Sequence, residues 1–481
     1  MTRSYSCIFF DIQLTSHLIS FSSRIHENFS GPSGFYTAKY LTELDPSLKI
    51  DILERLPTPF GLVRFGVAPD HELTKNVMST FHEVAAKKGQ VTYRGNVELG
   101  RDVTLQQLRE IYSAVVVATG ASSDRTLGLE HDTDPGVIPA RHFVNWYNGH
   151  PDFTAYMENK SKVDLSKVTD VVVVGNGNVA LDCARILAKS IDQLNTTDIV
   201  PSCLTTLSKA NIKNIHIIGR RSHVQASFTI KELRELSRLP SVRAVLSDDD
   251  IKRGTSEAND AEINSSRARK RITELMQSFQ SEPSHEEKDV KNIHFRFLSA
   301  PKEIKVDKDG RLEGLVVERT SLDGEAHNQR LKATGEMETI PCQMILLSIG
   351  YSVEPIENLP LNASHTHVEN VMGRVQGKFG VYVTGWLKRG PSGIIGTNIP
   401  DAKETATAVL QDRAKLQDAD NDAIEKLYKE ISRDNDVITW DDYMLIEEEE
   451  KKRGAMRDPS TPREKILTVK EQLSVVRDAC S

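Results

Sequence analysis

The stretch with the clearest chemical potential is a glycine-rich turn directly after a strongly apolar strand. Residues 171–174 are all valine, a run without a polar face that predicts a parallel strand covered on both sides. Gly175 and Gly177 follow, and Ala180 occupies the third small position of a G-x-G-x-x-G/A pattern. The first glycine allows a tight bend, the second lets backbone amides approach a pyrophosphate, and the third small residue lets the next helix pack closely. The pattern predicts a dinucleotide site at the N-terminus of a helix from Leu181 onward.

A basic pair indicates which dinucleotide binds. A second apolar strand, residues 215–218, ends in Gly219, Arg220 and Arg221. An NAD-binding protein usually carries an acid here for the ribose 2′-hydroxyl, whereas guanidinium groups suit a 2′-phosphate. The pair therefore favours NADP(H), with a solvated basic turn as the alternative.

Bulk composition narrows the class of protein. By length, the 481 residues predict about three domains, or two large α/β ones. A net charge of −7 gives no reason to expect nucleic acid as a partner, and no apolar run approaches the roughly 20 residues that span a bilayer. The five cysteines are scattered without a C-x-x-C pair. Their spacing argues against structural disulfides, an iron–sulfur cluster in this chain and dithiol redox chemistry.

A second, incomplete dinucleotide pattern lies near the N-terminus. Residues 31–41 combine a glycine turn with a helix, and a strand at residues 50–54 ends in Glu54, which is placed for a ribose hydroxyl. When the pattern is aligned on its glycines, however, Phe29 occupies the first glycine position, and residues 24–28 lack the composition of a buried parallel strand. The sequence therefore predicts that the first strand is missing, either because the true N-terminus differs from this one or because this lobe is impaired.

Later segments supply the remaining parts of two such units. Residues 55–71 hold prolines and glycines among many apolar residues, which predicts an irregular, close-fitting loop rather than a helix or strand. Residues 114–120 and 344–350 each predict a buried strand that ends in a glycine turn, at the entry to and the return from an inserted unit. Residues 380–386 predict another strand, followed by a glycine turn and a helix from about Asp401 whose N-terminus suits an anion.

Charged residues on the predicted helices of the inserted unit fit more than one role. Glu232 has the pattern of a solvated helix residue that could also reach a bound nucleotide. Arg267 and Arg271 lie four positions apart and hence on one helix face, which fits either a solvated face or a docking patch for an acidic protein. Residues 294–318 predict antiparallel hairpins, and residues 440–481 predict a charged, helical surface cover.

Together these segments resemble the adrenodoxin reductase family, the mitochondrial-type NADPH:ferredoxin oxidoreductases. The matching stretches are residues 30–41 (SGPSGFYTAKYL), 57–71 (PTPFGLVRFGVAPDH), 175–187 (GNGNVALDCARIL), 219–236 (GRR…FTIKELREL), 385–398 (GWLKRGPSGIIGTN) and 461–466 (TPREKI). The second and fifth of these are highly specific to the family. The flavoprotein subunit of glutamate synthase shares the architecture but is a weaker match.

The resemblance implies an α/β fold with two Rossmann-like dinucleotide-binding domains in a glutathione-reductase-like architecture. An NADP-binding domain at residues 129–346 is expected to be inserted into an FAD-binding domain. The first part of the FAD-binding domain is expected at residues 1–128, of which 1–28 are atypical. Its second part is expected at residues 347–481, with a C-terminal helical tail.

The resemblance also implies particular site residues. FAD contacts are expected at Pro32, Ser33, Gly34, Glu54, Leu62, Val97, Trp386, Gly393, Ile394 and Ile395. NADP(H) contacts are expected at Asn176, Gly177, Asn178, Val179, Arg220, Arg221, Glu232 and Gly393. His71 and Asp182 match a pair associated with electron transfer near the flavin in this family. We assign them supporting roles, since the hydride step needs no catalytic acid or base; taken alone, His71 favours a capping or core histidine, and no metal site is expected.

The activity that the resemblance implies is hydride transfer from NADPH to FAD, followed by single-electron transfer to a small acidic 2Fe–2S ferredoxin of the adrenodoxin kind. That partner would meet Arg267 and Arg271, and the electrons would supply a mitochondrial cytochrome P450 or iron–sulfur and haem pathways. The expected location is the mitochondrial matrix or the matrix face of the inner membrane, in peripheral association; residues 1–28 are nearly free of acids but poor in arginine, so they support a targeting segment only ambiguously. The alternatives are an enzyme of the glutamate-synthase small-subunit type with another acceptor, and a non-catalytic remnant.

Overall fold

The chain forms two compact units, each assembled from separate stretches of sequence. The computed structural model describes residues 17–21, 31–157, 161, 163–282, 290–356 and 359–480. The first unit comprises Met1–Val63, Asn76–Ser122 and Ser352–Leu445, and the second comprises Arg64–Lys75, Ser123–Tyr351 and Ile446–Ser481. Each unit combines helices with a largely parallel sheet, which confirms the predicted α/β class.

The elements are numbered in chain order through both units. The strands are β1 (His17–Phe21), β2 (Lys49–Glu54), β3 (Val91–Gly95), β4 (Ala114–Val117), β5 (Ser123–Asp124), β6 (Val137–Pro139), β7 (Asp170–Val174), β8 (Asn214–Ile218), β9 (Val242–Val245), β10 (Lys291–Arg296), β11 (Ser299–Val306), β12 (Leu312–Asp323), β13 (Arg330–Pro341), β14 (Met344–Leu347), β15 (Tyr351–Ser352), β16 (Asn370–Val371), β17 (Arg374–Val375) and β18 (Val381–Val383). The helices are α1 (Pro32–Leu44), α2 (Gly61–Phe65), α3 (Glu72–Lys75), α4 (Val77–Ala85), α5 (Leu105–Ile111), α6 (Ala140–Tyr147), α7 (Asn178–Ala188), α8 (Ile191–Asn195), α9 (Pro201–Leu207), α10 (Ile230–Ser237), α11 (Asp248–Arg253), α12 (Glu257–Ser265), α13 (Arg267–Met276), α14 (Trp386–Arg389), α15 (Asn398–Asp412), α16 (Asn421–Asp434), α17 (Trp440–Arg457) and α18 (Val469–Cys480). None of these described helices combines the length and the apolar character that a bilayer span requires.

A seven-stranded sheet forms the centre of the first unit. Its order is β16-β17-β18-β4-β1-β2-β3, in which the strands from β18 to β3 are parallel and β16–β17 is an antiparallel hairpin at one edge. The valines of β4 and β18 are buried, as expected for parallel strands covered on both faces. Beside the sheet, the aromatic rings of Phe35, Phe60 and Phe81 pack together, with centroids 5.1 to 6.0 Å apart.

The prediction that the first strand of this sheet is missing is wrong. β1 pairs in parallel with β2 on one side and with β4 on the other, so that Leu18 is in register with both Ile50 and Ala114. It occupies the central position from which a dinucleotide-binding unit starts, and α1 follows it. The strand lies earlier in the chain than the glycine alignment indicated, which explains why residues 24–28 lack its pattern. Phe29 lies outside the described residues.

The second unit contains a six-stranded and a three-stranded sheet. A six-stranded sheet runs in the order β6-β14-β7-β8-β10-β9, and all its recorded pairings are parallel. A three-stranded antiparallel sheet is formed by β11, β12 and β13. Val171 and Val173 of β7 belong to one apolar core together with α7, while Val172 and Val174 belong to another that includes side chains of β12. Because both faces of β7 are covered, its run of valines has no polar face.

Three segments differ from their sequence-based predictions. Residues 55–71 include a short helix, α2, within the loop. β10 is a parallel strand between β8 and β9 rather than part of a hairpin, because its alternating apolar residues, Ile293 and Phe295, bury in the larger core. The tail at residues 440–481 is helical as predicted, but it is more than a surface cover, since Glu450 and Lys465 are almost fully buried.

Buried ion pairs explain why residues 64–75 and 446–481 belong to the second unit. Arg64 Nη2 lies 2.5 Å from Glu450 Oε1, and both side chains are buried. Asp198 contacts two buried ammonium groups, with Lys75 Nζ at 2.6 Å and Lys465 Nζ at 2.9 Å. Breaking such a buried pair leaves an uncompensated charge, so each contact ties its segment firmly to the unit. The predicted limits at residues 129–346 did not include these two segments, because charge pairing across the sequence has no local pattern.

Candidate functional site

The first unit presents the N-terminus of α1 at the end of β1. Gly31 is the extended N-cap residue without a side-chain cap, and Pro32 occupies the first helical turn, where its missing N–H costs nothing. Pro32, Ser33 and Gly34 are buried. A helix start whose amides have no side-chain cap is suited to a phosphate group.

Two predicted FAD contacts lie together at the carboxyl end of this sheet. Glu54 ends β2 and is fully buried, and its Oε1 accepts a hydrogen bond of 3.0 Å from the amide of Leu56. The amide of Val97 donates to the backbone oxygen of Glu54 at 2.9 Å, so these two residues are adjacent. Leu62 lies on α2 and is half-buried. A buried carboxylate at this edge suits a ribose hydroxyl.

The segment after β18 approaches the start of α1 closely. A side chain at Gly385 would lie 2.5 Å from Ser33 Oγ, and the φ of Gly385 is +71°, so only glycine fits there. The amide of Gly385 donates to Asp401 Oδ2 at 2.6 Å. Trp386 therefore begins α14 beside the glycine-rich helix start, and its Nε1 donates to the backbone oxygen of Ser392 at 3.2 Å.

A glycine turn leads from this segment into α15. Gly393 has a φ of +86°, and a Cβ there would lie 2.6 Å from Thr397 Oγ1. Ile394 is exposed and Ile395 is half-buried, and the amide of Ile394 donates to Thr397 Oγ1 at 3.1 Å. α15 begins at Asn398, three residues before the predicted Asp401, and has no side-chain cap at its N-terminus. The predicted FAD contacts thus all lie in the first unit, and several of them lie at or close to the starts of α1 and α15.

The glycine-rich turn of the second unit has the predicted geometry with an earlier helix start. Gly175 has a φ of +120°, and a Cβ there would lie 2.1 Å from the backbone oxygen of Ser348. Gly177 is the N-cap of α7, which starts at Asn178 rather than Leu181 because the extended backbone of Gly177 ends the turn there. Nothing lies within 4 Å of a Cβ built on Gly177. The helix start therefore faces open space that a pyrophosphate could fill.

The remaining residues of this turn are fixed by the loop before α10. Asn178 Oδ1 accepts a 2.8 Å hydrogen bond from the amide of Thr229, and the backbone oxygen of Asn176 accepts one of 3.0 Å from Ser227. Val179 packs partly buried against the larger core.

Arg220 and Arg221 follow β8 with exposed side chains and an anchored backbone. Thr320 Oγ1 donates to the oxygen of Arg220 at 2.7 Å, and the amide of Leu298 donates to the oxygen of Arg221 at 3.0 Å. Within the described part of the chain, neither guanidinium forms an ion pair, whereas the buried guanidinium of Arg185 lies within 4 Å of four carboxylates. Two exposed guanidinium groups therefore project from a turn whose backbone is anchored.

A buried ionic cluster surrounds His71 in the second unit. Its members come from the loop before α3 and from α7 and α10, and they are Asp70, His71, Asp182, Arg185, Lys189, Glu232 and Glu235. His71 Nε2 lies 3.0 Å from Glu235 Oε2 and 3.4 Å from Glu232 Oε2, and its Nδ1 lies 4.0 Å from Asp182 Oδ1. His71 and Asp182 are thus neighbours within this cluster. Glu232, predicted from its pattern as solvated, is only 13% exposed, because acids and bases from three elements converge on it.

Arg185 holds this cluster together. Its Nε and Nη2 contact the carboxylate of Asp70 at 2.7 and 3.0 Å, and Nη2 also donates to Asp182 Oδ1 at 2.7 Å. Burial raises the pKa of Asp182 and of Glu232, whereas the hydrogen bonds and charges of Arg185 and Lys189 overcome burial and hold the pKa of Asp70 well below its ordinary value. Neighbouring carboxyls of opposite pKa shift can hold a proton in one place and a charge in another.

Ligand atoms suitable for a metal also occur in this cluster. The sets Asp70–His71–Glu235 and His71–Asp182–Glu232 each have donor atoms within 4.8 Å of one another. Arg185 and Lys189 already place two positive charges among these four carboxylates.

The predicted docking residues lie on one exposed face of α13. Arg267 and Arg271 are exposed, as is Lys270, while Ile272 and Met276 on the other face are buried. Helical spacing therefore gives α13 a basic outer face above an apolar inner one.

Comparisons with known proteins identify the family. A family model described as pyridine nucleotide-disulphide oxidoreductase matches residues 30–239. The mitochondrial NADPH:adrenodoxin oxidoreductase of Salvelinus fontinalis is 39% identical over 93% of this chain and 90% of its own length, and that of Homo sapiens is 38% identical over the same shares. The chain belongs to the NADPH:adrenodoxin oxidoreductase family.

Solved structures agree with this family membership. FprA of Mycobacterium tuberculosis in complex with NADPH is similar to the chain at 33% identity and a TM-score of 0.86, covering 96% of this chain and 100% of that one. As a member of the NADPH:adrenodoxin oxidoreductase family, the chain is an oxidoreductase with FAD and NADP(H) as cofactors. The relatives are named mitochondrial, which confirms the expected mitochondrial localisation.

Three of the site's structural residues escaped the sequence analysis. Arg185, Glu235 and Gly385 each gain their importance from a partner far away in the sequence. The only feature of the sequence that pointed to Arg185 is its spacing, since it follows Asp182 by three positions and can form an ion pair with it on the same helix. The two glycine-rich helix starts that the motifs predicted, at α1 and α7, nevertheless occur in the structure.

Proposed function

We propose that the chain takes electrons from NADPH through FAD and passes them singly to a small acidic 2Fe–2S ferredoxin. When bound, FAD accepts a hydride and releases electrons one at a time, which is the cofactor's own chemistry. The protein supplies binding, orientation and charge. The downstream consumer in this proposal is a mitochondrial cytochrome P450 or an iron–sulfur or haem pathway.

In this proposal the first unit binds FAD. Pro32, Ser33 and Gly34 offer the helix start to the pyrophosphate, and Glu54 accepts hydrogen bonds from a ribose. Leu62, Val97, Trp386 and the turn at residues 393–395 would hold the ring system, and the start of α15, which has no side-chain cap, would favour negative charge on it.

The second unit binds NADP(H) in the same proposal. Asn176, Gly177, Asn178 and Val179 place backbone amides against the pyrophosphate, and Arg220 and Arg221 bind the 2′-phosphate. Glu232 also contacts the coenzyme. His71 and Asp182 act in support, by holding charge and protons within the cluster around Arg185.

The ferredoxin assignment depends on one observation, the basic outer face of α13. Arg267, Lys270 and Arg271 are exposed there, and clustered cations on a rigid helix attract an acidic partner and speed its association. Arg269, on the same helix, is instead paired with Glu262, so the three exposed cations remain available to a partner.

Charge reversal on α13 tests this assignment. Arg267→Glu with Arg271→Glu is expected to raise the KM for ferredoxin about tenfold or more at low salt, with a smaller effect at high salt. Ferredoxin-dependent reduction of cytochrome c measures it, and reduction of ferricyanide by NADPH, which needs no docking, is expected to stay unchanged. Lys308→Glu with Arg311→Glu, at the exposed turn between β11 and β12, makes the same change in net charge and serves as the matched control. Equal effects of the two double variants would contradict the docking assignment.

A further inference from the structure

A buried polar network lies directly behind the turn that carries Arg220 and Arg221. It joins that turn to α12 and to the hairpin of β12 and β13 through four side chains that the proposed function does not use. These are Ser222, Gln225, Asn259 and Gln329, of which Ser222 is fully buried and Asn259 and Gln329 are 2% and 5% exposed. Buried polar groups of this kind are costly unless they are all paired.

Asn259, on α12, is the hub of this network, and its amide uses its full hydrogen-bonding capacity. Its Nδ2 donates to the oxygen of Gly254 at 2.6 Å and to Ser222 Oγ at 3.3 Å. Its Oδ1 accepts from Gln225 Nε2 at 2.8 Å and from Gln329 Nε2 at 2.7 Å. A primary amide offers two donors and accepts two bonds at its oxygen, so no capacity of Asn259 is left over.

Ser222, the residue after Arg221, closes a ring of hydrogen bonds with Asn259 and Gln225. Ser222 Oγ donates to Gln225 Oε1 at 2.8 Å, Gln225 Nε2 donates to Asn259 Oδ1, and Asn259 Nδ2 donates back to Ser222 Oγ. Ser222 Oγ also accepts from the amide of Val224 at 3.2 Å. Each member thus fixes the orientation of the next, and the turn cannot rotate without breaking several bonds at once.

The rest of α12 is held as firmly. Glu262 accepts hydrogen bonds from Gln329 Nε2 at 3.0 Å and from the amide of His327 at 2.8 Å. Although burial acts to raise it, these hydrogen bonds lower the pKa of Glu262 to about 2. Asn259 therefore lies on a helix that is anchored to the hairpin of β12 and β13. Its hydrogen bond to Ser222 holds the turn of Arg220 and Arg221 in place.

We propose that Asn259 is a positioning residue that sets the preference for a 2′-phosphate by fixing the turn of Arg220 and Arg221 from behind. A guanidinium group binds phosphate more tightly when the backbone that carries it is fixed. An arginine on a mobile backbone loses more conformational freedom on binding, which costs binding free energy. Asn259 touches no coenzyme in this proposal and acts only through the turn. The proposal rests on the assignment of the arginine pair to the 2′-phosphate.

Binding of two nucleotide fragments to the FAD-loaded protein tests the proposal. In Asn259→Ala, the Kd of 2′,5′-ADP is expected to rise about tenfold, the usual scale when a buried hydrogen-bond partner is removed, while the Kd of 5′-AMP changes less than about twofold. Asn264→Ala, an exposed asparagine on the same helix, is the matched control and is expected to change neither constant. Parallel weakening of both fragments, or of neither, would overturn the proposal.

Two further variants keep the test decisive. Should Asn259→Ala fail to fold, as judged by circular dichroism and thermal unfolding, Ser222→Ala is the second variant. It removes one side of the ring of hydrogen bonds and is expected to weaken 2′,5′-ADP binding selectively; the absence of selective weakening there overturns the proposal. In the background of Arg220→Ala with Arg221→Ala, Asn259→Ala is expected to cause no additional loss, because its effect passes through the arginines. A full additional loss in that background would show a different route and overturn it.

The same experiment separates the proposal from the proposed function. If the double arginine variant leaves the ratio of the two Kd values unchanged, the assignment of the 2′-phosphate is what has failed. If that variant changes the ratio and Asn259→Ala does not, only the role of Asn259 has failed.

Discussion

At the scale of single residues, the coenzyme site that we propose in the second unit depends on arginines with opposite surroundings. Arg185 is fully buried and forms ion pairs with carboxylates of the protein, so its charge is not available to a ligand. Arg220 and Arg221 project into solvent from a turn whose backbone is hydrogen-bonded on both residues. An exposed guanidinium on a fixed backbone is available for a ligand phosphate, which is why the two kinds of arginine serve different purposes.

Removing the exposed pair should abolish the coenzyme preference. Arg220→Ala with Arg221→Ala is expected to raise the KM for NADPH by about 10- to 100-fold, since two charge-assisted contacts are lost, and to leave the KM for NADH nearly unchanged. Steady-state reduction of ferricyanide with each coenzyme measures this. Unchanged Michaelis constants for both coenzymes would show that the pair is only a solvated turn.

His223, one residue beyond Ser222, makes stability depend on pH. Burial lowers the pKa of His223 from 6.5 to about 4. Because the folded pKa lies below the unfolded one, the unfolded chain binds more protons in this range; stability present above about pH 6.5 is lost as the pH falls towards about 4. Between about pH 7.5 and pH 5.0 this residue is expected to account for a loss of about 2 kcal/mol in the free energy of unfolding.

Urea unfolding at these two pH values tests the prediction against His223→Gln. The variant lacks the titrating group, so its stability is expected to fall less on acidification than that of the parent protein, whatever its stability at neutral pH. Equal losses in the two proteins would contradict it.

Sequence alone identified the residues whose chemistry admits few substitutes. Gly175 needs a positive φ, Arg220 and Arg221 need a fork-shaped cation, and each type is visible in the chain. Arg185 and Asn259 are common residue types that become important through burial and through partners more than 30 positions away. Arg185 contacts Asp70, and Asn259 contacts Ser222. No local pattern encodes such partners.

At the scale of elements, the two glycines of the β7–α7 turn have separate tasks. Gly175 carries the backbone through a conformation and a contact with Ser348 that exclude any Cβ. Gly177 has an ordinary φ of −98° and open space around it. The first glycine therefore serves the fold, and the second leaves room for the ligand.

A pair of matched substitutions separates these tasks. Gly175→Ala is expected to lower the free energy of unfolding by about 3 kcal/mol or more, because strain and a backbone clash combine. Gly177→Ala is expected to change stability by less than about 1 kcal/mol and to weaken NADPH binding, because the new methyl group fills the space for the pyrophosphate. Thermal unfolding and NADP+ titration of each variant measure the two effects. Loss of stability in Gly177→Ala with normal coenzyme binding would reverse the assignment.

Helices and strands were predictable where the hydrophobic periodicity was strong. They were less predictable where the structure depended on which strands pair with each other. The valine run of β7 and the strand before Gly120 were clear because both faces are buried. β10 has alternating residues that suit a hairpin, yet it pairs in parallel with β8 and β9, since strand order is a property of the whole sheet. β1 was not predicted because the alignment on the glycines places the first strand at residues 24–28, which follow β1 in the chain.

At the scale of the whole molecule, two parallel-sheet units each present a glycine-rich helix start, and the motifs that specify them are local enough to be found in sequence. The limits of the units were harder to predict. Residues 64–75 and 446–481 belong to the second unit through buried ion pairs such as Arg64–Glu450 and Lys75–Asp198. Long-range charge pairing of this kind leaves only isolated charged residues in the sequence.

The most direct test of the proposed activity is an anaerobic titration of the FAD-loaded protein with NADPH in the presence of an adrenodoxin-like 2Fe–2S ferredoxin, with the ferredoxin spectrum as the readout. The account predicts that about two ferredoxin molecules are reduced for each NADPH consumed, because a hydride carries two electrons and the iron–sulfur cluster takes one. Consumption of NADPH without any reduction of ferredoxin would contradict it.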